Sequence, residues 1–382
     1  MPNPVPTSRS THATMNRDGV RAARLAFVLP AGVALLIGMA AGLARMGVWG
    51  VDAEALRAAH APAMLFGFVG SLVALERAVA IRRVWAFAAP LLLSLGALAL
   101  ITPLPTAVGR TAIALGLALM LVIYRVIWKR QTALATSVQA LAAASGLIAA
   151  LLWATGVPFE NVSIVAAVFL VLTIVGERIE LGRVGGLTAR GEAVGLGLSL
   201  VVAAASVATI LWPGAAHSVL GAAILSLVAW LLIVDVARVT IASTGAARYM
   251  AVCLLLGYAW LAVAGGVLLA AGAPSAAAYD IVTHAVLLGF VMSMIMAHAS
   301  VILPAVLRTP LPYRRWFYAP VALLQLSLVV RVIGDVRESN ITIQAGGIAN
   351  VAAILLFLVC AAASAAVSAR VDRSKGVAHA QR

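Results

Sequence analysis

Residues 60–81 read HAPAMLFGFVGSLVALERAVAI, 22 residues in which the only acidic or basic side chains besides His60 are Glu76 and Arg77. Wound into an α-helix rising 1.5 Å per residue, the stretch is ~33 Å long, enough to cross the ~30 Å hydrocarbon core of a bilayer. Comparable apolar stretches recur on both sides of it, at 23–43, 84–104, 107–128, 132–155, 159–181, 193–212, 216–237, 249–272, 281–303, 316–334 and 342–368. The breaks between them carry Pro, Gly or charge, as at Pro103 and Pro105, Gly156 to Pro158, Pro213 to Gly214, and Arg314 to Arg315. The expected fold is therefore all-α, a polytopic transmembrane bundle of about twelve helices. A basic tail over 1–22 precedes a single transmembrane domain over 23–368, and a second basic tail covers 369–382.

Composition points the same way. Of the 382 residues, 63% are hydrophobic and only 10% charged, with a mean hydropathy of +1.07, which excludes an ordinary water-soluble domain. The net charge of +14 does not indicate nucleic-acid binding, because the basic residues cap apolar segments instead of forming a stripe. With the N-terminus placed in the cytoplasm, almost all of them fall inside, leaving Arg45, Arg57, Arg110, Arg331 and Arg337 outside. An even number of spans with both termini cytoplasmic follows, and the first apolar run is read as an uncleaved helix. Cys253 and Cys360 both lie in apolar runs, with no CxxC or CxxCH, so neither a disulfide framework nor covalently attached haem is expected.

The second, sixth and tenth stretches share short motifs. Gly67-Phe-Val-Gly-Ser71 and Gly289-Phe-Val-Met-Ser293 have the pattern G-F-V-x-S, while Leu75-Glu76-Arg77 matches Gly176-Glu177-Arg178. Four helices separate each pair, which predicts a pseudo-threefold arrangement of four-helix units.

Ionisable side chains inside a span cost about 2.5–3.5 kcal/mol each, so those retained there are functional candidates. His60 opens the second helix and His284 the tenth, at the same external depth in the derived topology. Neutral imidazoles on facing helices can hold one haem iron between them, or they can serve only as interfacial histidines. The small residues Gly67 with Ser71 and Gly289 with Ser293 would admit a flat cofactor or a neighbouring helix. His298 lies about 21 Å deeper on its helix than His284. Aligning the shared motifs brings it level with Glu76 and Glu177. That trio could bind copper or iron, pass protons, or belong to an ion-pair network with Arg77, Arg178 and Glu180. Met292, Met294 and Met296 point to different helix faces and are read as packing. Asp235 and Arg238, three residues apart, are expected to pair locally, and His217 is expected to be solvated or interfacial.

His60-Ala-Pro-Ala-Met64-Leu-Phe-Gly-Phe68 resembles the H-x-x-x-M-x-x-G-F signature that opens an early helix of the NnrS family, and His284-Ala-x-x-x-Gly-Phe290 with His298 is similar to that family's late histidine-bearing helix. Those are twelve-helix bacterial inner-membrane proteins described as haem- and copper-containing and linked to nitric oxide tolerance. The resemblance implies haem b on His60 and His284, copper near His298, and a role in nitric oxide or redox stress. A more distant likeness is to subunit I of haem-copper oxidases, whose low-spin haem is held by histidines of helices two and ten. The sixth and seventh stretches here contain no histidine, so an oxygen reductase's three-histidine copper site cannot be built. The alternatives are a cofactor-free transporter using Glu76, Glu177 and His298, and a structural or assembly protein. The expected surroundings are the lipid bilayer, with a quinol or other redox partner as the source of any electrons.

Overall fold

A computed structural model describes residues 9–48, 54–307 and 310–380, all helix, turn or loop. Residues 1–8 and 381–382 of the expected tails, and Arg308, lie outside the described residues. In chain order the helices are α1 (Arg9–Arg45), α2 (Glu54–Ile81), α3 (Val84–Ala99), α4 (Thr106–Arg130), α5 (Leu134–Ala154), α6 (Phe159–Val184), α7 (Ala189–Leu211), α8 (Pro213–Val234), α9 (Gly245–Ala271), α10 (Ala276–Pro304), α11 (Tyr318–Val336) and α12 (Asn340–Ala380). The apolar parts of the first and last are Ala26–Arg45 and Asn340–Ser368, and the helices continue into both tails.

Among the described residues eleven of these helices are long and apolar enough to span a membrane, and α3 is the exception. Its apolar stretch was expected to run to 104. Helical structure ends at Ala99 because Pro103 and Pro105 remove backbone donors and push the preceding residues toward extended conformations. The α3 segment nevertheless joins the two ends of the bundle. Arg130 at the end of α4 donates to the carbonyl of Ile81 at 3.3 Å, while Arg110 at its start donates to that of Trp153 at 3.1 Å. The chain between Ile81 and Thr106 must therefore travel the length of α4, and its last stretch, Leu100–Pro105, does so as turns.

The other boundaries follow local chemistry. Thr188 caps α7 by accepting from the Gly191 amide at 3.2 Å, and Ser275 caps α10 through the Ala278 amide at 3.3 Å. Pro213 occupies the first turn of α8, where its missing amide costs nothing. Gly156 bridges α5 and α6 at φ +104°, a conformation that side chains disfavour.

Within each successive group of four helices the second packs between the first and the third: α2 between α1 and α3, α6 between α5 and α7, α10 between α9 and α11. These three are also the most deeply buried spans, and they touch one another along the axis of the bundle. Two of them break the α-helical ladder at the same motif. Ala63–Gly70 and Ala285–Met292, each carrying G-F-V, are π-helical. Such widened turns are uncommon and favour functional sites. The glycines of the motif serve helix contacts and not a cofactor: a Cβ on Gly67 would lie 2.7 Å from Ala97 Cβ and 2.9 Å from Ala34 Cβ, and one on Gly289 would collide with the Trp260 ring.

Candidate functional site

Two polar layers lie at opposite ends of the three central helices. In one, His60 of α2 and His284 of α10 face each other with ring centres 6.4 Å apart and planes inclined by 22°. His60 Nδ1 is 2.7 Å from the carbonyl oxygen of Gly38 on α1. His284 Nδ1 is 2.9 Å from the carbonyl oxygen of Asp280, one turn earlier on its own helix. A carbonyl can only accept, so each Nδ1 carries the proton and each Nε2 presents a lone pair. Neither Nε2 has a hydrogen-bond partner among the described residues.

The two histidines do not occupy equivalent positions of the repeat. His60 is seven residues before the motif glycine and His284 five, an offset of two residues that would turn the rings apart on identical helices. They meet because α1 and α10 supply different local supports. Gly42 leaves room for the first imidazole: a Cβ there would stand 2.8 Å from His60 Cε1. Gly38 does the same for Met64, whose Sδ would lie 2.6 Å from an added Cβ.

On the other side His284 is braced by a carboxylate. Asp280 Oδ1 lies 3.3 Å from His284 Nδ1, and Arg331 of α11 clamps Asp280 with both arms, Nε to Oδ2 at 2.9 Å and Nη2 to Oδ1 at 3.1 Å. Arg331 Nη1 also reaches the Met46 sulfur at 3.2 Å. Asp280 and Arg331 escaped the sequence reading as site residues. The spacing Asp280-x-x-x-His284 was the available signal, since residues four apart share a helix face and a carboxylate commonly orients a ligating imidazole.

Two cavities, of about 550 Å3 and about 470 Å3, share a wall formed by His60, Met64, Asp280, His284, Leu287 and Arg45. The first extends between α1, α11 and α12, and the second toward Arg110, Trp153 and Glu160 at the ends of α4, α5 and α6. The histidine pair thus stands between two open spaces.

At the opposite layer the structure brings Glu76, Glu177 and His298 toward one level but commits each to an arginine. Arg77 Nη2 is 2.8 Å from Glu177 Oε1 and 3.4 Å from Glu76 Oε1. Arg178 does not join them. One position further along α6 it faces α10, where Nη2 donates to His298 Nε2 at 2.9 Å while His298 Nδ1 donates to the Met294 carbonyl at 2.8 Å. Glu180 is exposed and makes no direct bond to the network. Both nitrogens of His298 are engaged, and among the described residues no group of three His, Cys, Asp or Glu side chains gathers as a metal-binding set. Arginines thus engage all three side chains, which is the ion-pair arrangement.

Two smaller expectations change, and a third, that the three methionines serve packing, is met. Asp235 does not pair with Arg238, because α8 ends at Val234 and the two are not on one helix. Asp235 accepts instead from the Tyr258 hydroxyl at 2.6 Å and the Ala237 amide at 2.7 Å. His217 is buried and donates from Nδ1 to the Pro213 carbonyl. Met292, Met294 and Met296 are all buried in the core.

No curated protein and no solved structure matches the chain. Residues 24–366 match the family model described as Domain of unknown function (DUF8744), and because that stretch is most of the chain and includes both polar layers, the chain belongs to this family.

Proposed function

We propose that this is a haem-binding integral membrane protein in which His60 and His284 would hold the haem iron. One observation carries the reading: the two imidazoles face each other at a 6.4 Å centre-to-centre separation. With metal–imidazole bonds of about 2.0 Å on each side, two rings sharing one iron have their centres roughly 6 Å apart. The surroundings fit the group. Each Nδ1 is tied to a backbone carbonyl, which fixes the tautomer that offers Nε2 to a metal. The cavity reaching from the pair toward Arg110, Trp153 and Glu160 gives a planar macrocycle space to extend. A bound haem would supply one-electron chemistry. The protein's own part is to hold two neutral imidazoles, keep the site apolar through Met64 and Leu287, and orient His284 through Asp280.

The signature His60-Ala-Pro-Ala-Met64-Leu-Phe-Gly-Phe68, similar to that of the NnrS family, supports a task in nitric oxide or redox stress handling at the bacterial inner membrane. The histidine layer then faces outward and the Arg77–Glu177 layer the cytoplasm, as the basic residues of the loops favour. Visible absorption spectroscopy of the purified full chain tests the proposal. The reading requires a reducible band of bis-histidine character that is lost in His60→Ala and in His284→Ala. A colourless protein that cannot be reconstituted with haem refutes it.

A further inference from the structure

The larger cavity has a far wall that the histidine pair does not use. Asp335 of α11 and Asn350 of α12 line it, 4% and 3% exposed; Asn350 Nδ2 has no hydrogen-bond partner, and Asp335 Oδ2 meets no donor, its carboxyl standing against that of Asp280. The other end of the Asn350 amide is taken, its Oδ1 accepting from Ser327 at 2.6 Å. Leaving a buried polar atom unmatched costs about 1–3 kcal/mol, so an acceptor and a donor left open in one cavity indicate a ligand that supplies the complements. Their levels differ. Ser327, which marks the height of Asn350, is eight residues before Asp335 on α11, ~12 Å along the helix axis. Met39, Leu43, Met64, Val351 and Ile354 make the remaining wall apolar.

The place of this cavity in the bundle says where its occupant comes from. Helices α4 and α5, and likewise α8 and α9, pack along their lengths, whereas α1 and α12 meet sparingly and are the least buried spans. The cavity lies in that seam, with Gly42 and Gly47 on one side and Gly347 on the other. In a membrane-spanning bundle a sparsely packed seam between two outer helices faces lipid.

We propose that this cavity binds a lipid-soluble quinol that enters between α1 and α12, with one ring hydroxyl donating to Asp335 and the opposite oxygen accepting from Asn350. A rigid ring with oxygens at its two ends, each extended by a hydrogen bond of about 2.8 Å, reaches the two levels together. A membrane alcohol with a single hydroxyl leaves one group unmatched. A phosphate or fatty-acid carboxylate would meet the carboxylates of Asp335 and Asp280, the second already satisfied by Arg331. The inference concerns binding, goes beyond the haem reading and does not rest on it, because the contacts lie on α11 and α12.

The test uses the full chain in quinone-free phosphatidylcholine nanodiscs, with an azido-benzoquinone photolabel and decyl-benzoquinol as competitor. Saturable labelling of peptides from α1, α11 and α12, displaced by the competitor and weakened at least tenfold in Asn350→Leu and Asp335→Leu, is the expected result. The visible absorption spectrum of the same samples reads haem independently of the label, so that failure of the haem reading and failure of this one are separable. Non-saturable labelling, labelling confined to other helices, or unchanged affinity in both variants overturns the proposal. If the substitutions prevent folding, the labelling map of the unmodified chain decides.

Discussion

Substituting Gly42 by alanine probes the histidine pair with a single methyl group. The added Cβ would stand 2.8 Å from His60 Cε1 and 3.0 Å from Nδ1, whereas ordinary contact begins near 3.4 Å. The ring must retreat by about 0.6 Å, which stretches or breaks the 2.7 Å bond between Nδ1 and the Gly38 carbonyl. Overpacking costs about 1–3 kcal/mol, and a hydrogen bond contributes about 0.5–1.5 kcal/mol. Alanine's better helix propensity returns about 0.5–1 kcal/mol. The net effect on the ligand geometry is about 1–3 kcal/mol, or roughly 5- to 150-fold in haem affinity. Gly32 supplies the control, because it lies on the same helix and an added Cβ there meets nothing within 4 Å. Haem titration followed by absorption, with a thermal melt of each apoprotein, separates loss of the site from loss of the fold. If Gly42→Ala binds haem as the parent does, with the same spectrum, then His60 is not held where the structure holds it and the ligand assignment fails.

Other perturbations test the remaining contacts. Asp280→Asn removes the carboxylate beside His284 and the two-armed partner of Arg331, and should weaken haem binding about 10- to 100-fold in the same titration, as loss of a ligand-orienting group does elsewhere. Arg77→Ala strands Glu76 and Glu177 without their shared cation and should cost about 3–5 kcal/mol, read as a large fall in detergent melting temperature; the double variant Glu76→Gln with Glu177→Gln in that background should recover part of it. Tyr258→Phe leaves Asp235 one donor short, a loss of about 1–3 kcal/mol in the same melt, and an unchanged midpoint would mean that the hydroxyl contact is idle. Single cysteines at Arg83 and Thr102, in a background with Cys360→Ser, should react with an impermeant thiol reagent from opposite sides of a sealed vesicle. Labelling from one side only would show that α3 does not cross.

Membrane character and helical class were legible in the sequence because a bilayer imposes a one-dimensional rule: about 20 apolar residues, bounded by charge or by Pro and Gly. The repeat was legible too, through G-F-V-x-S and the Glu-Arg endings, but that α2, α6 and α10 are the central helices came only from the packing. Length alone misjudged α3, since apolar composition continues through Pro103 and Pro105 while hydrogen-bonded helix does not. The histidines could be named from the cost of burying an ionisable group, but their meeting could not. It depends on the different supports that α1 and α10 give the two rings, on space at Gly42, and on a carboxylate held by an arginine 51 residues away in sequence. The same limit applies at the other layer, where alignment placed Glu76, Glu177 and His298 at one depth and only side-chain direction decided that Arg77 takes the acids and Arg178 the imidazole. Depth along a helix is a property of residue number. Which face a side chain turns to, and which neighbour it meets there, is settled by how the helices pack.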